Sequence, residues 1–108
     1  TVGLSEAEAV AAGHTVRTGQ FPFRALGKAT IVGEIDGFAK FVADAGSGLL
    51  LGTHIIGPHA GDLIAEPTFA QVVEGTAGEI ATTVHAHPTL PEVLPEAAMA
   101  VDGTPIHV

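Results

Sequence analysis

At 108 residues the chain has the size of one domain, long enough to bury a single core. Its composition, 46% hydrophobic and 15% charged, fits a compact soluble globule and excludes a disordered chain; no stretch reaches the roughly 18 to 20 consecutive apolar residues of a membrane helix. Twelve acidic residues against four basic ones (Arg17, Arg24, Lys28 and Lys40) give a net charge of −8, a surface that repels nucleic-acid phosphates and attracts a basic protein partner.

The first segment, Ser5-Glu6-Ala7-Glu8-Ala9-Val10-Ala11-Ala12, is rich in helix formers. Ser5 is suited to the N-cap, acidic residues fill the first turn, and Gly13 supplies a stop. Residues 14 to 21 read as a strand through Thr15, Val16, Thr18 and Phe21. Pro22 follows, and because it cannot donate to a ladder it marks an edge or a strand end. Ile31, Val32 and Ile35 suggest another strand over residues 28 to 36. Two further runs, Gly37 to Asp44 and Leu49 to Ile56, predict an antiparallel hairpin turned by Ala45-Gly46-Ser47-Gly48. The second run is apolar except for Thr53 and His54, which predicts cover on both faces.

Beyond Gly57-Pro58-His59-Ala60-Gly61 the period changes. Leu63, Ile64, Phe69, Val72 and Val73 recur at helical spacing. Pro67 should kink or divide this helix, since it donates no hydrogen bond and its ring clashes with the carbonyl of Leu63; Gly75 ends it. A short helix over about residues 77 to 83 is followed by a non-helical link, Val84 to Thr89. A last helix runs from about Leu90 to Val101, with an irregularity expected at Pro95. Strands come first and helices later without βαβ alternation. The fold class is therefore α+β, an antiparallel sheet of about four strands backed by helices.

The chain has no cysteine, which excludes a disulfide scaffold, a thiolate zinc site and a thiol nucleophile among these residues. The opening Thr1 to Glu6 has neither the basic start nor the following apolar run of a secretory signal. Six histidines are the unusual feature. His14 and His107 lie near the ends and read as surface residues; His54, in an apolar strand, and His59, beside a Gly-Pro turn, read as structural. His85-Ala86-His87 could place two imidazoles on one face of a strand. A zinc site wants three or four convergent ligands, and the spacing nominates no third, so no metal is expected.

His87-Pro88-Thr89-Leu90-Pro91-Glu92 carries more information. A carboxylate beside an imidazole orients one ring nitrogen and raises the basicity of the other. With Thr89 as N-cap, Glu92 sits at the third helical position, able to point back towards His87. The same spacing is also a capping box, in which Glu92 would only satisfy the Thr89 amide. Spacing leaves both readings open.

His85-Ala86-His87-Pro88-Thr89-Leu90-x-Glu92 resembles the signature near the C-terminus of dihydrolipoamide dehydrogenases, in the pyridine nucleotide–disulfide oxidoreductase family. The resemblance extends over Val2 to Ala9, Phe21-Pro22-Phe23, Gly27-Lys28-Ala29, Gly37 to Lys40 and Gly52 to Ile64, almost the whole chain. It implies a C-terminal dimerisation (interface) domain over residues 1–108, part of a longer homodimeric flavoprotein. His87 would be the acid–base catalyst and Glu92 its carboxylate partner. The backbone of His87 and Pro88, joined by a cis bond, would lie near the flavin of the other subunit. The implied reaction is oxidation of dihydrolipoamide through a redox disulfide on that subunit, then FAD, then NAD.

No Gly-x-Gly-x-x-Gly stretch or cysteine pair is present, so neither cofactor is expected on these residues alone, and alone they should not turn over. The implied partners are a second copy, the dihydrolipoyl group of an acyltransferase, and the basic subunit-binding domain of a 2-oxo acid dehydrogenase complex. The implied location is bacterial cytoplasm or the mitochondrial matrix. A second reading, from composition, is a non-catalytic self-associating module that binds a basic protein.

Overall fold

A computed structural model describes residues 1–33, 36–57 and 59–103, without the side chains of Thr30 and Val32. Its centre is the expected hairpin. β3 (Phe38–Asp44) pairs antiparallel with β4 (Leu50–Ile56), with a register shift between Val42 and Ala43. Asp44 shapes the turn: its Oδ2 accepts from the backbone N–H groups of Gly46 and Ser47 at 3.1 and 2.9 Å and from the Ser47 hydroxyl at 2.9 Å. These bonds, led by that of the Ser47 amide, hold the Asp44 carboxyl below its ordinary range.

β2 (Val16–Pro22) flanks β3, and the short β1 (Val2–Gly3) flanks β4, giving an antiparallel sheet in the order β1-β4-β3-β2. Pro22 ends its strand as expected, and that strand lies at the sheet edge. Because side chains alternate across a strand, β3 feeds two clusters. Ala39, Phe41 and Ala43 join Phe21 and Phe23 in the main core, while Val42 packs with Ala9 and Leu51 in a second. Ala9 belongs to α1 (Glu6–Ala11), whose N-cap Ser5 forms a full capping box with Glu8. β4 is buried from Leu50 to Thr53 and again at Ile55, half-buried at His54 and exposed at Ile56, so its two-sided cover stops at its end.

Of the strand expected over residues 28 to 36, the described residues 28 to 33 do not form one. A 3-10 turn (Phe23–Ala25) leads instead into α2 (Gly27–Val32). Ala29 is fully buried in the main core, Ile31 is 69% exposed, and Gly33 at φ +76° closes the segment. Burial of one small residue and a left-handed stop outweighed the β propensity of Ile31, as tertiary context often does. Ile35 lies outside the described residues.

The helix expected after residue 60 is divided. α3 (Ala60–Leu63) and α4 (Ala65–Val72) meet at Ile64, and Pro67 takes the third position of α4, where no intrahelical partner for its nitrogen is required. At the far end Glu74, at φ +59°, makes the reversal and the Gly75 amide donates to the Ala70 carbonyl at 2.6 Å. α5 (Ala77–Thr82) starts at a Thr76–Glu79 capping box. A second 3-10 turn (Leu90–Glu92) precedes α6 (Val93–Ala100), in which Pro95 again occupies the third position. α6 closes the core with Val93, Leu94, Ala97 and Ala98. It crosses β2 at Gly19, where any Cβ would collide with the Ala97 carbonyl and the Val101 nitrogen. α2, α3, α5 and α6 pack on the sheet in the main core and α1 in the smaller one, an α+β fold.

Candidate functional site

Between α5 and the second 3-10 turn, residues 84–89 cross the surface without regular structure. Both ends of this link are fixed. Thr83 is the C-cap of α5 in extended conformation, and its hydroxyl donates to the Glu79 carbonyl at 2.7 Å. At the other end Leu90, Val93 and Leu94 are buried and seat the following turn on the core. The Thr89 hydroxyl donates to the Ala86 carbonyl at 2.6 Å, which closes the link on itself. The His87–Pro88 peptide bond is cis.

Glu92 occupies the third position of its turn and its carboxylate reaches back over the start. Oε1 accepts from the Thr89 amide at 2.8 Å. His87 Nδ1 lies 3.1 Å from the same Oε1 and 2.9 Å from Oε2. The two readings of Glu92 are therefore compatible, because one carboxylate caps the turn and holds the imidazole together. The burial of the pair is unequal: the Glu92 side chain is 17% exposed and that of His87 is 72% exposed. A carboxylate that accepts at Nδ1 selects the tautomer with Nδ1–H. That leaves Nε2 with its lone pair, the form of imidazole able to take up a proton.

His85 does not join His87. Its Nδ1 is 2.8 Å from the Thr83 carbonyl and its Nε2 is 2.9 Å from both carboxylate oxygens of Glu66, on α4. Its side chain is only 8% exposed. Each ring of the His-x-His motif thus has its own carboxylate, and among the described residues no group of three or more potential ligands converges on a metal position. The Glu66 contact was missed in the sequence, and for a physical reason. It spans 19 residues across two helices, and no local pattern announces such a pairing.

Of the remaining histidines, His54 is 3.0 Å from the Leu4 carbonyl and ties β4 to the N-terminal segment, a structural part as expected. His14, read as an ordinary surface residue, pairs with Asp44 at 3.3 Å. His59 sits in the left-handed region at φ 57° beside Asp62, 3.8 Å away. Pro58 and His107 lie outside the described residues.

Beside the link, α4 and α5 border an apolar groove lined by Phe69, Ala70, Val73 and Ile80, with Glu66 and Glu79 at its margin. Phe69, Val72, Val73 and Val84 are between 57% and 96% exposed. Phe69 and Val73 are thus both exposed and part of the groove wall.

Residues 1–98 match the dimerisation domain of pyridine nucleotide-disulphide oxidoreductases. A dihydrolipoyl dehydrogenase of Bacillus subtilis is 52% identical over 107 residues, covering 99% of this chain and 23% of that protein. One from Haloferax volcanii is 49% identical over 107 residues, 99% of this chain and 22% of the relative. The chain thus spans less than a quarter of the curated relatives it matches. The crystal structure of LpdA from Mycobacterium tuberculosis superposes with a TM-score of 0.83 at 28% identity, over 91% of this chain and 21% of that one. The flavoprotein disulfide reductase RclA from Escherichia coli, at 18% identity and a TM-score of 0.85 over 91% of this chain and 22% of its own, shares the fold. By sequence and by fold, the chain belongs to the dimerisation-domain family of the pyridine nucleotide-disulphide oxidoreductases.

Proposed function

We propose that residues 1–108 serve as the dimerisation domain of a homodimeric dihydrolipoyl dehydrogenase and supply its acid–base pair, His87 and Glu92. The observation that carries this is the bidentate contact between a largely exposed imidazole and a largely buried carboxylate. A thiol of dihydrolipoamide gives its proton to His87 Nε2 as its sulfur attacks a disulfide. A new S–S bond forms, the old one breaks, and the displaced sulfur leaves as thiolate. Glu92 keeps Nδ1 protonated and offsets the charge of the imidazolium that results. The chain has no cysteine, so the disulfide belongs to other parts of the enzyme, on the partner subunit in this reading.

FAD and NAD are held in this reading by the other domains, with the edge at His87 and Pro88 facing the partner's flavin; when bound, they carry the electrons from the reduced disulfide to nicotinamide. An exposed imidazole next to a fixed carboxylate suits proton exchange beside such a centre. The exposed face at Phe69, Val72, Val73 and Val84 is the self-association surface in this reading. The chain's acidity suits a basic subunit-binding domain, and the acyltransferase's dihydrolipoyl group is the substrate. That same exposed face also favours the second reading, a self-associating module without catalysis.

The test is made on the full-length flavoenzyme. His87→Gln should slow flavin reduction by dihydrolipoamide about 10²–10⁴-fold while flavin reduction by NADH persists. An unchanged dihydrolipoamide rate sinks the catalytic reading and leaves the module. Phe69→Asp with Val72→Asp should yield monomers by sedimentation at micromolar concentration; an intact dimer would assign association to another face.

A further inference from the structure

We propose that His85 is a positioning residue: together with Glu66 and the Thr83 carbonyl it forms a clamp, held by one shared proton, that fixes the link carrying His87. The inference rests on the catalytic reading of His87 and extends it. A peptide carbonyl only accepts, so the contact at 2.8 Å from the Thr83 oxygen requires hydrogen on Nδ1. An ionised carboxylate also only accepts, so the contacts at 2.9 Å with Glu66 require hydrogen on Nε2 as well. Otherwise Glu66 carries the proton and donates it to a bare Nε2. In both arrangements the pair holds one proton more than a neutral imidazole and an ionised carboxylate.

His87 differs. Among the described contacts only its Nδ1 faces an acceptor, so the neutral ring meets every bond given to it and Nε2 stays open to exchange. The clamp also has a mechanical setting. It joins the start of the link to α4, the helix whose outer face carries Phe69 and Val72. The charged groups on the packed elements are Glu66 of α4 and Glu79 of α5. Glu79 Oε1 is occupied by the Thr76 amide at 2.9 Å, and among the described residues no basic side chain lines the groove.

The experiment compares His85→Ala, Glu66→Ala, their double variant, Glu66→Gln and His87→Gln in the full-length flavoenzyme. Amide hydrogen exchange over residues 83–89 and the rate of flavin reduction by dihydrolipoamide are measured together. Both alanine variants should speed exchange and slow reduction about tenfold, since small displacements of a reacting group cost up to ~10²-fold, and the double variant should be no worse than either. Glu66→Gln should restore both, because its amide can donate to Nε2 of a neutral ring. Exchange and rate unchanged in both alanine variants would overturn the clamp, as would a Glu66→Gln variant as impaired as Glu66→Ala. If exchange rises in the clamp variants while His87→Gln reduces flavin normally, the clamp stands and the catalytic reading falls.

Discussion

The start of α1 and the start of the last helical segment use the same local grammar. Ser5-x-x-Glu8 and Thr89-x-x-Glu92 each put a hydroxyl residue before the turn and a glutamate three residues on, and in each the glutamate accepts from the backbone amide of the first residue, at 2.9 and 2.8 Å. Among the described contacts Glu8 accepts no imidazole hydrogen bond, and His54 adds only a minor electrostatic attraction. Hydrogen bonds from Ser5, first its amide and then its hydroxyl, hold the Glu8 carboxyl below its ordinary range. Glu92 makes the same cap and has an imidazole against it as well, because His87 stands two residues before Thr89 on a link that turns back. The difference teaches that a capping box and a carboxylate that holds an imidazole are not competing assignments. One function fixes the side chain that the other uses.

That contrast can be broken most forcefully at Glu92. Glu92→Ala should remove both functions, lowering flavin reduction by dihydrolipoamide about 10²–10⁴-fold and weakening the turn. Glu92→Gln should separate them. Its carbonyl oxygen can still accept from the Thr89 amide, so stability should hold while the rate falls at least about tenfold for want of a charge opposite the imidazolium. Equal rates for the Gln variant and the unaltered enzyme would mean that Glu92 acts through the cap alone.

The third box, Thr76–Glu79, sharpens the comparison because no imidazole shares its carboxylate among the contacts described. Thr76→Ala should cost about 1 kcal/mol of stability, read as an earlier thermal unfolding transition, with little change in rate. The smallest effect concerns pH. Glu8 and Asp44 both have folded carboxyls held below their ordinary values of 4.5 and 3.8, so each contributes stability that is complete above those values. That contribution is lost as pH falls through the lowered folded values. Acid titration of Ser5→Ala should show a smaller loss over this window than the unaltered protein, by circular dichroism; an identical loss would mean that the α1 cap contributes nothing there.

Much of this was legible before any coordinates, where the signal was local. Ser5 and Gly13 bracket α1, Pro22 ends β2, the glycines at 46 and 48 lie in the hairpin turn, and Pro67 marks the helix that breaks. The failure at residues 28 to 36 has a different origin. Ile31 carries β propensity but faces solvent, while the decisive contact, burial of Ala29, depends on residues far along the chain. The candidate site divides along the same line. His87 and Glu92 are 5 residues apart and their spacing is readable, whereas Glu66 meets His85 only because α4 and α5 pack beside the link.

The prolines at 67 and 95 act through a state of the chain that no coordinates display. Each sits at the third position of its helix, so the fold gives up no hydrogen bond to accommodate it. In the denatured ensemble each ring still removes backbone freedom. Where native geometry already suits the ring, that restriction favours folding by roughly 0.4–1 kcal/mol per site. The prolines in the first turns of these helices thus lower the entropic cost of forming them.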